Sequence, residues 1–185
     1  MLTARDPLPH APRRIAVAGV SGSGKSTLCR HLATATGYPY TEIDGLFHGP
    51  DWTPLPTFLD DVRNAIAPDR WIIEWQYTDA RPLILERCDL LVWVDPPFWT
   101  TTFPQVVRRT ARRSLTHEEL WNGNREAPLR TIFTEPDHII RWAVQTRHKV
   151  AEDLAAALPA RPDLPVVRLR SRSDVGTWLR SAFPH

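Results

Sequence analysis

The segment Gly19-Val20-Ser21-Gly22-Ser23-Gly24-Lys25-Ser26 fills every fixed position of the pattern G-x-x-x-x-G-K-[ST]. No other feature constrains the fold as much, because the pattern works only between a strand and a helix. Glycines let the backbone turn so that successive N–H groups point inward at phosphate oxygens. The helix that follows adds the positive end of its dipole. The flanks suit this role. Residues 14–20 form a short apolar run ending at the loop, and 28–36 have helical character, closed by Gly37 and Pro39.

The same alternation continues along the chain. Short apolar runs at 40–44, 70–75, 89–95 and 165–169 read as further strands. Helical spacing marks 57–67, 79–87, 99–115 (interrupted or begun at Pro104), 136–158 and 174–183. Five strands alternating with helices predict an α/β chain with a parallel sheet covered on both faces. Residues 1–13, with their prolines and no periodicity, read as a loose leader to a single domain spanning 14–185. The irregular stretch 116–134 is placed where a lid would lie.

Composition excludes several classes. The chain has 185 residues, one domain's worth, with 42% hydrophobic and 24% charged residues. It holds no apolar run long enough for a membrane helix and no leading apolar segment, so a cytoplasmic location is expected. Two cysteines far apart, Cys29 and Cys88, argue against a disulfide scaffold or zinc framework. The net charge of +2 leaves nucleic-acid binding possible but not favoured. Of the 23 basic residues only Lys25 and Lys149 are lysine, so the lysine of the phosphate loop stands against a strong arginine bias.

Candidate site residues follow from the loop. Gly22, Ser23, Gly24, Lys25, Ser26 and Thr27 are expected to hold nucleotide phosphates, Lys25 as a mobile point charge on the β/γ-phosphates. The Ser26 hydroxyl is an expected Mg²⁺ ligand beside phosphate oxygens and water. Acidic residues at expected strand ends are Asp44, Glu74 and Asp95, and ligands of open parallel sheets bind beyond those ends. Asp44 is expected to orient or deprotonate an acceptor, and Asp95 to hold Mg²⁺ through water. Arg108, Arg109, Arg112 and Arg113 fall on one helix in two stripes, and Arg125 lies in the lid stretch. Arg109, Arg113 and Arg125 are expected to stabilise a transferring phosphoryl group. At least one of Arg141, Gln145 and Arg147 is expected to face the phosphates. His48 reads as an ordinary loop histidine, with Asp51 and Trp52 near an acceptor pocket.

No N-K-x-D segment of the GTPase type is present, and the fourth strand ends Val94-Asp95-Pro96 without an acidic pair. The chain resembles the adenylate-kinase-like P-loop proteins labelled "DNA topology modulation protein". The resemblance covers about residues 14–182 and rests on the phosphate loop, Glu42-Ile-Asp-Gly-Leu-Phe-His-Gly-Pro-Asp-Trp52, the helix 107–113, Leu120-Trp-Asn-Gly-Asn-Arg-Glu126 and Ile140-Arg-Trp142. It implies a nucleoside-monophosphate-kinase-like fold with a five-stranded parallel sheet, ATP as donor and Mg²⁺, and no settled substrate; the residues themselves point to phosphoryl transfer to a nucleotide, favoured by the many arginines, or to another small hydroxyl or phosphate acceptor. The alternative is a nucleotide-dependent regulatory protein with little turnover. One departure stands out. Where similar proteins carry Asp/Glu-Gly-Asn-Tyr, this chain reads Glu74-Trp75-Gln76-Tyr77, which adds bulk where an acceptor would lie.

Overall fold

A computed structural model describes residues 1–116, 119–124 and 139–183. Five strands, β1 (Arg14–Ala18), β2 (Tyr40–Thr41), β3 (Trp71–Glu74), β4 (Leu90–Val94) and β5 (Val166–Leu169), form one sheet in the order β2-β3-β1-β4-β5. Every pairing is parallel. The strands are almost continuously apolar because both faces are covered, as a parallel sheet with helical crossovers requires.

Strand periodicity sorts the side chains between two cores. On one face Ile15, Val17, Ile72, Val92 and Val167 pack with Leu28 and Leu32 of α1 (Lys25–Thr36) and Trp178 of α8 (Arg172–Ala182). On the other face Ala16, Trp71, Ile73, Trp75, Leu91 and Trp93 meet α3 (Phe58–Ile66), α4 (Ala80–Arg87) and α7 (Lys149–Ala157). The two cysteines are free and buried on opposite faces, Cys29 with the first group and Cys88 with the second. Among the described residues no helix is long and apolar enough to cross a membrane.

Three expectations are corrected. The second strand stops at Thr41, and 43–47 turn into a short helix, α2 (Ile43–Phe47), so Asp44 stands on a helix and not at a strand end. Helix α5 (Phe103–Thr116) begins beside Pro104, one of the two expected arrangements, after a wider π-turn over Phe98–Thr102. The long helix expected over 136–158 is two, α6 (Ile139–Gln145) and α7, broken at 146–148. Its described part has apolar spacing on both sides of the break, so periodicity alone did not show it. The leader is tied down. Leu2 bridges Val167 in parallel beyond β5, with Leu2 N–H to Val166 O at 2.7 Å and Arg168 N–H to Leu2 O at 2.9 Å. Further on, the Arg13 and Arg14 N–H groups donate to Asp89. An unpaired sheet edge recruits this segment despite its prolines.

Candidate active site

The loop after β1 crosses the end of the sheet and opens α1. Gly24, the N-cap, has φ 100°, and Gly22 has φ 78° with a notional Cβ only 2.3 Å from Val106 Cγ2 of α5. Side chains at either position would be strained, and at Gly22 would also displace the arginine-bearing helix. No side chain caps α1 and its first turn holds no acid. Its first N–H groups therefore remain available to an anion.

A cavity of about 1210 Å³ lies over this loop. Gly22, Gly24, Lys25, Ser26 and Thr27 line it, as do Asp44, Arg109 and Arg113. Ser23 does not; its side chain is buried beneath the turn. Both arginine stripes of α5 reach the cavity through Arg108, Arg109, Arg112 and Arg113, and Arg109 Nη2 donates to Ser21 Oγ at 3.1 Å. Arg125 lies outside the described residues, as does most of the expected lid. Of the next helix pair, Trp142, Thr146 and Lys149 line the cavity, whereas Arg141, Gln145 and Arg147 do not. Arg147 instead donates to Val144 O at 2.8 Å.

The carboxylate at the phosphate loop is Glu74, not Asp95. Asp95 Oδ2 accepts from Arg168 Nε at 2.8 Å and also from its Nη2, and the same guanidinium lies 4.2 Å over the Trp93 ring. Asp95 is absent from the cavity wall. The cause is register: Trp93 pairs with Arg168 on β5, which draws the acid following β4 away from the loop. Glu74 ends β3, on the other side of β1, and is fully buried. Its Oε1 accepts from Ser26 Oγ at 2.6 Å and from Tyr40 Oη at 3.0 Å. Its Oε2 has no hydrogen-bond partner and stands 4.0 Å from Lys25 Nζ. Because the Ser26 hydroxyl gives its proton to Glu74, its oxygen lone pairs are free to face a cation. A buried carboxylate oxygen without a partner is costly unless a cation or water completes it. Ser26 and Glu74 thus fit a hydrated Mg²⁺ held mainly by nucleotide phosphates.

The far end of the cavity is aromatic and acidic. Asp44 Oδ1 accepts from Tyr77 Oη at 2.6 Å and Gln76 Nε2 at 2.7 Å. Tyr77 Oη is also 3.1 Å from His48 Nε2. With its own proton on Asp44, the tyrosine oxygen accepts from His48, which assigns the imidazole proton to Nε2. Burial pushes the His48 pKa down, partly offset by Asp44, and burial with the Asp44 charge pushes the Tyr77 phenol up. His48, an ordinary loop histidine by sequence, stands one helical turn after Asp44, and the fold brings the Tyr77 hydroxyl against both. The His48 ring packs edge-on to Phe47 and Trp52 and roughly parallel to Trp121. Tyr77, Asp51, Trp52 and Asn122 all have positive φ, a cluster of strained non-glycine residues around one pocket.

Trp75 forms part of the cavity wall, but most of its bulk lies in the core. Alternation along β3 and past its end sends Trp75 to the face of Trp71 and Ile73, where it is 2% exposed. There its Nε1 donates to Arg81 O at 3.2 Å, and its ring lies 4.9 Å beneath the Arg81 guanidinium. Gln76 spends its amide on Asp44. Two segments singled out from sequence dock on one another. Asn124, 5% exposed, donates to Gly49 O at 2.8 Å and Trp121 O at 2.9 Å, and its Oδ1 accepts from Trp52 N–H at 3.0 Å. Asn122 donates to His48 O.

No family model and no curated protein matches the sequence. Solved structures do match the fold. A gluconokinase from Sinorhizobium meliloti 1021 is 20% identical over 94% of this chain and 91% of its own, with a TM-score of 0.52. A shikimate kinase from Bacteroides thetaiotaomicron is 14% identical over 92% of this chain and 96% of its own, with a TM-score of 0.50. The chain therefore has the α/β fold of P-loop kinases; at these identities the likeness extends to fold alone.

Proposed function

We propose that the protein transfers the γ-phosphoryl group of ATP to a hydroxyl of a small, uncharged acceptor. The observation that carries this reading is the single cavity wall shared by the phosphate loop and Asp44. One end is built for phosphates: loop amides, Lys25 and the α5 arginines. The other end offers carboxylates Glu42 and Asp44; of the cations there, Arg81 and Lys149 are closed on Asp153 and Arg30 acts on Glu42. Opposite charges at the two ends favour an anionic donor and a neutral acceptor. Trp52, Tyr77 and Trp121 supply ring faces against which a hydroxylated ring would pack.

In this reading the loop amides and Lys25 hold the β/γ-phosphates. Arg109 and Arg113, with Arg125 as a further proposed contributor, spread positive charge over the transferring group. Ser26 and Glu74 would hold Mg²⁺, which neutralises phosphate charge when bound. Asp44, oriented by Tyr77 and Gln76, takes the proton of the acceptor hydroxyl. The acceptor oxygen forms its bond to γ-phosphorus, the bond from γ-phosphorus to the bridging oxygen breaks, and that oxygen leaves with ADP.

A coupled ATP-consumption assay tests this, run with Mg²⁺ against nucleosides, nucleoside monophosphates, sugars and other hydroxylated compounds, with product masses determined. Acceptor-dependent ADP formation and a phosphorylated neutral product are expected. A monophosphate as the best acceptor would keep the kinase and refute the neutral acceptor. ATP binding that no acceptor turns into ADP formation would favour the regulatory alternative. Lys25→Ala should lower kcat/KM by roughly 10²–10³-fold while its melting temperature stays near that of the parent.

A further inference from the structure

The fully buried Glu74 depends on a residue outside the phosphate loop. Tyr40 stands on the edge strand β2, opposite Ile72 of β3. Glu74 lies two residues beyond Ile72, so Tyr40 and Glu74 share the α1 face as diagonal neighbours. Within that pair Tyr40 Oη donates to Glu74 Oε1 at 3.0 Å, the same oxygen that receives the Ser26 proton at 2.6 Å. Two donors on one oxygen leave Oε2 with the Lys25 Nζ ion pair at 4.0 Å and no hydrogen-bond partner. The carboxylate thus presents one saturated oxygen and one open oxygen. Which oxygen is open is set by the direction from which Tyr40 reaches it.

We infer that Tyr40 is a positioning residue for the metal–nucleotide complex, an inference that rests on the nucleotide-binding reading given above. By fixing Oε1, Tyr40 keeps Ser26 donating to Glu74, with the Ser26 lone pairs turned outward, and keeps Oε2 available to a metal-bound water. The phenol suits this role because toward a carboxylate oxygen it can only donate. Without the hydroxyl the carboxylate can rotate, Ser26 is released to other rotamers, and both metal-facing groups lose their shared orientation. Binding of bare nucleotide, which uses loop amides and Lys25, is left intact.

The test is a titration of the full chain with the β,γ-imido analogue of ATP, once with Mg²⁺ and once with EDTA. Parent, Tyr40→Phe and Glu74→Gln proteins are compared, with thermal melting of each. Mg²⁺ should tighten binding to the parent. In Tyr40→Phe that gain should shrink roughly tenfold, the worth of one hydrogen bond to a charged group, with the EDTA affinity unchanged. Glu74→Gln should reduce the gain in the same sense. An unaltered Mg²⁺ gain in Tyr40→Phe would overturn the inference alone. So would an equal loss in Mg²⁺ and EDTA, which marks a merely structural tyrosine. A parent protein that binds the analogue in neither condition would overturn the nucleotide-binding reading and this inference with it.

Discussion

Glu42 sits half-buried at the start of α2, between Glu74 and Asp44. Burial first, and the Glu74 charge second, push its carboxyl above its ordinary value of 4.5, while the Trp121 indole and Arg30 pull it down. The folded pKa therefore exceeds the unfolded one. The charged form is disfavoured in the fold, and the penalty sets in as pH rises through 4.5 and persists above the folded value. Glu42→Gln should raise the melting temperature at pH 7 and make no difference below the unfolded pKa. Melting curves from pH 3.5 to 8 check this, and an equal offset at every pH would show that packing, not charge, separates the two side chains. The acidic end of the cavity is thus held at a cost in stability, as expected where charge serves binding.

At the scale of elements, the turn 121–123 and the loop 48–54 form one wall through Asn124. Asn124→Ala would leave the Gly49 carbonyl and the Trp52 N–H without their partner. A loss of about 2 kcal/mol is expected, read from urea unfolding. The KM for acceptor should rise while that for ATP holds, because this wall faces the acceptor end alone. A rise in both would mean that the wall supports the phosphate loop as well. The elements themselves were largely legible: the P-loop flanks, five apolar strands and most helices follow from pattern. Their ends were less so. Asp44 reads as a strand terminus because Thr41 and Ile43 alternate with polar neighbours, yet α2 begins at once. Trp75 reads as pocket bulk until strand parity assigns it to the core. The choice between Glu74 and Asp95 was not legible, since both follow apolar runs and only strand order places one of them beside Ser26. His48 acquires its contact with Tyr77 through a fold of 29 residues, which no local spacing encodes.

For the molecule as a whole, the sheet is the frame, and residues before β1 close one of its edges. Leu2, Ala4 and Leu8 join the core beneath β5, and His10 Nε2 lies 3.1 Å from Asp89 O. Removing residues 1–8 should destabilise the protein by about 2 kcal/mol through lost edge hydrogen bonds and apolar contact. Nucleotide affinity should be unchanged, since the cavity lies at the ends of β1 and β3. Urea unfolding with a parallel titration separates the two effects; weaker nucleotide binding would tie this edge to the loop. The alternation of β3 has a consequence of another kind. Trp71, Ile73 and Trp75 look one way, Ile72 and Glu74 the other, and the strand is only four residues long. A deleted or inserted residue there would bring an indole or an aliphatic chain to Ser26 and thrust a carboxylate into the core. Lineages of this protein are therefore bound to keep the length of β3 as well as Glu74, and changes in chain length should accumulate in the connections on either side.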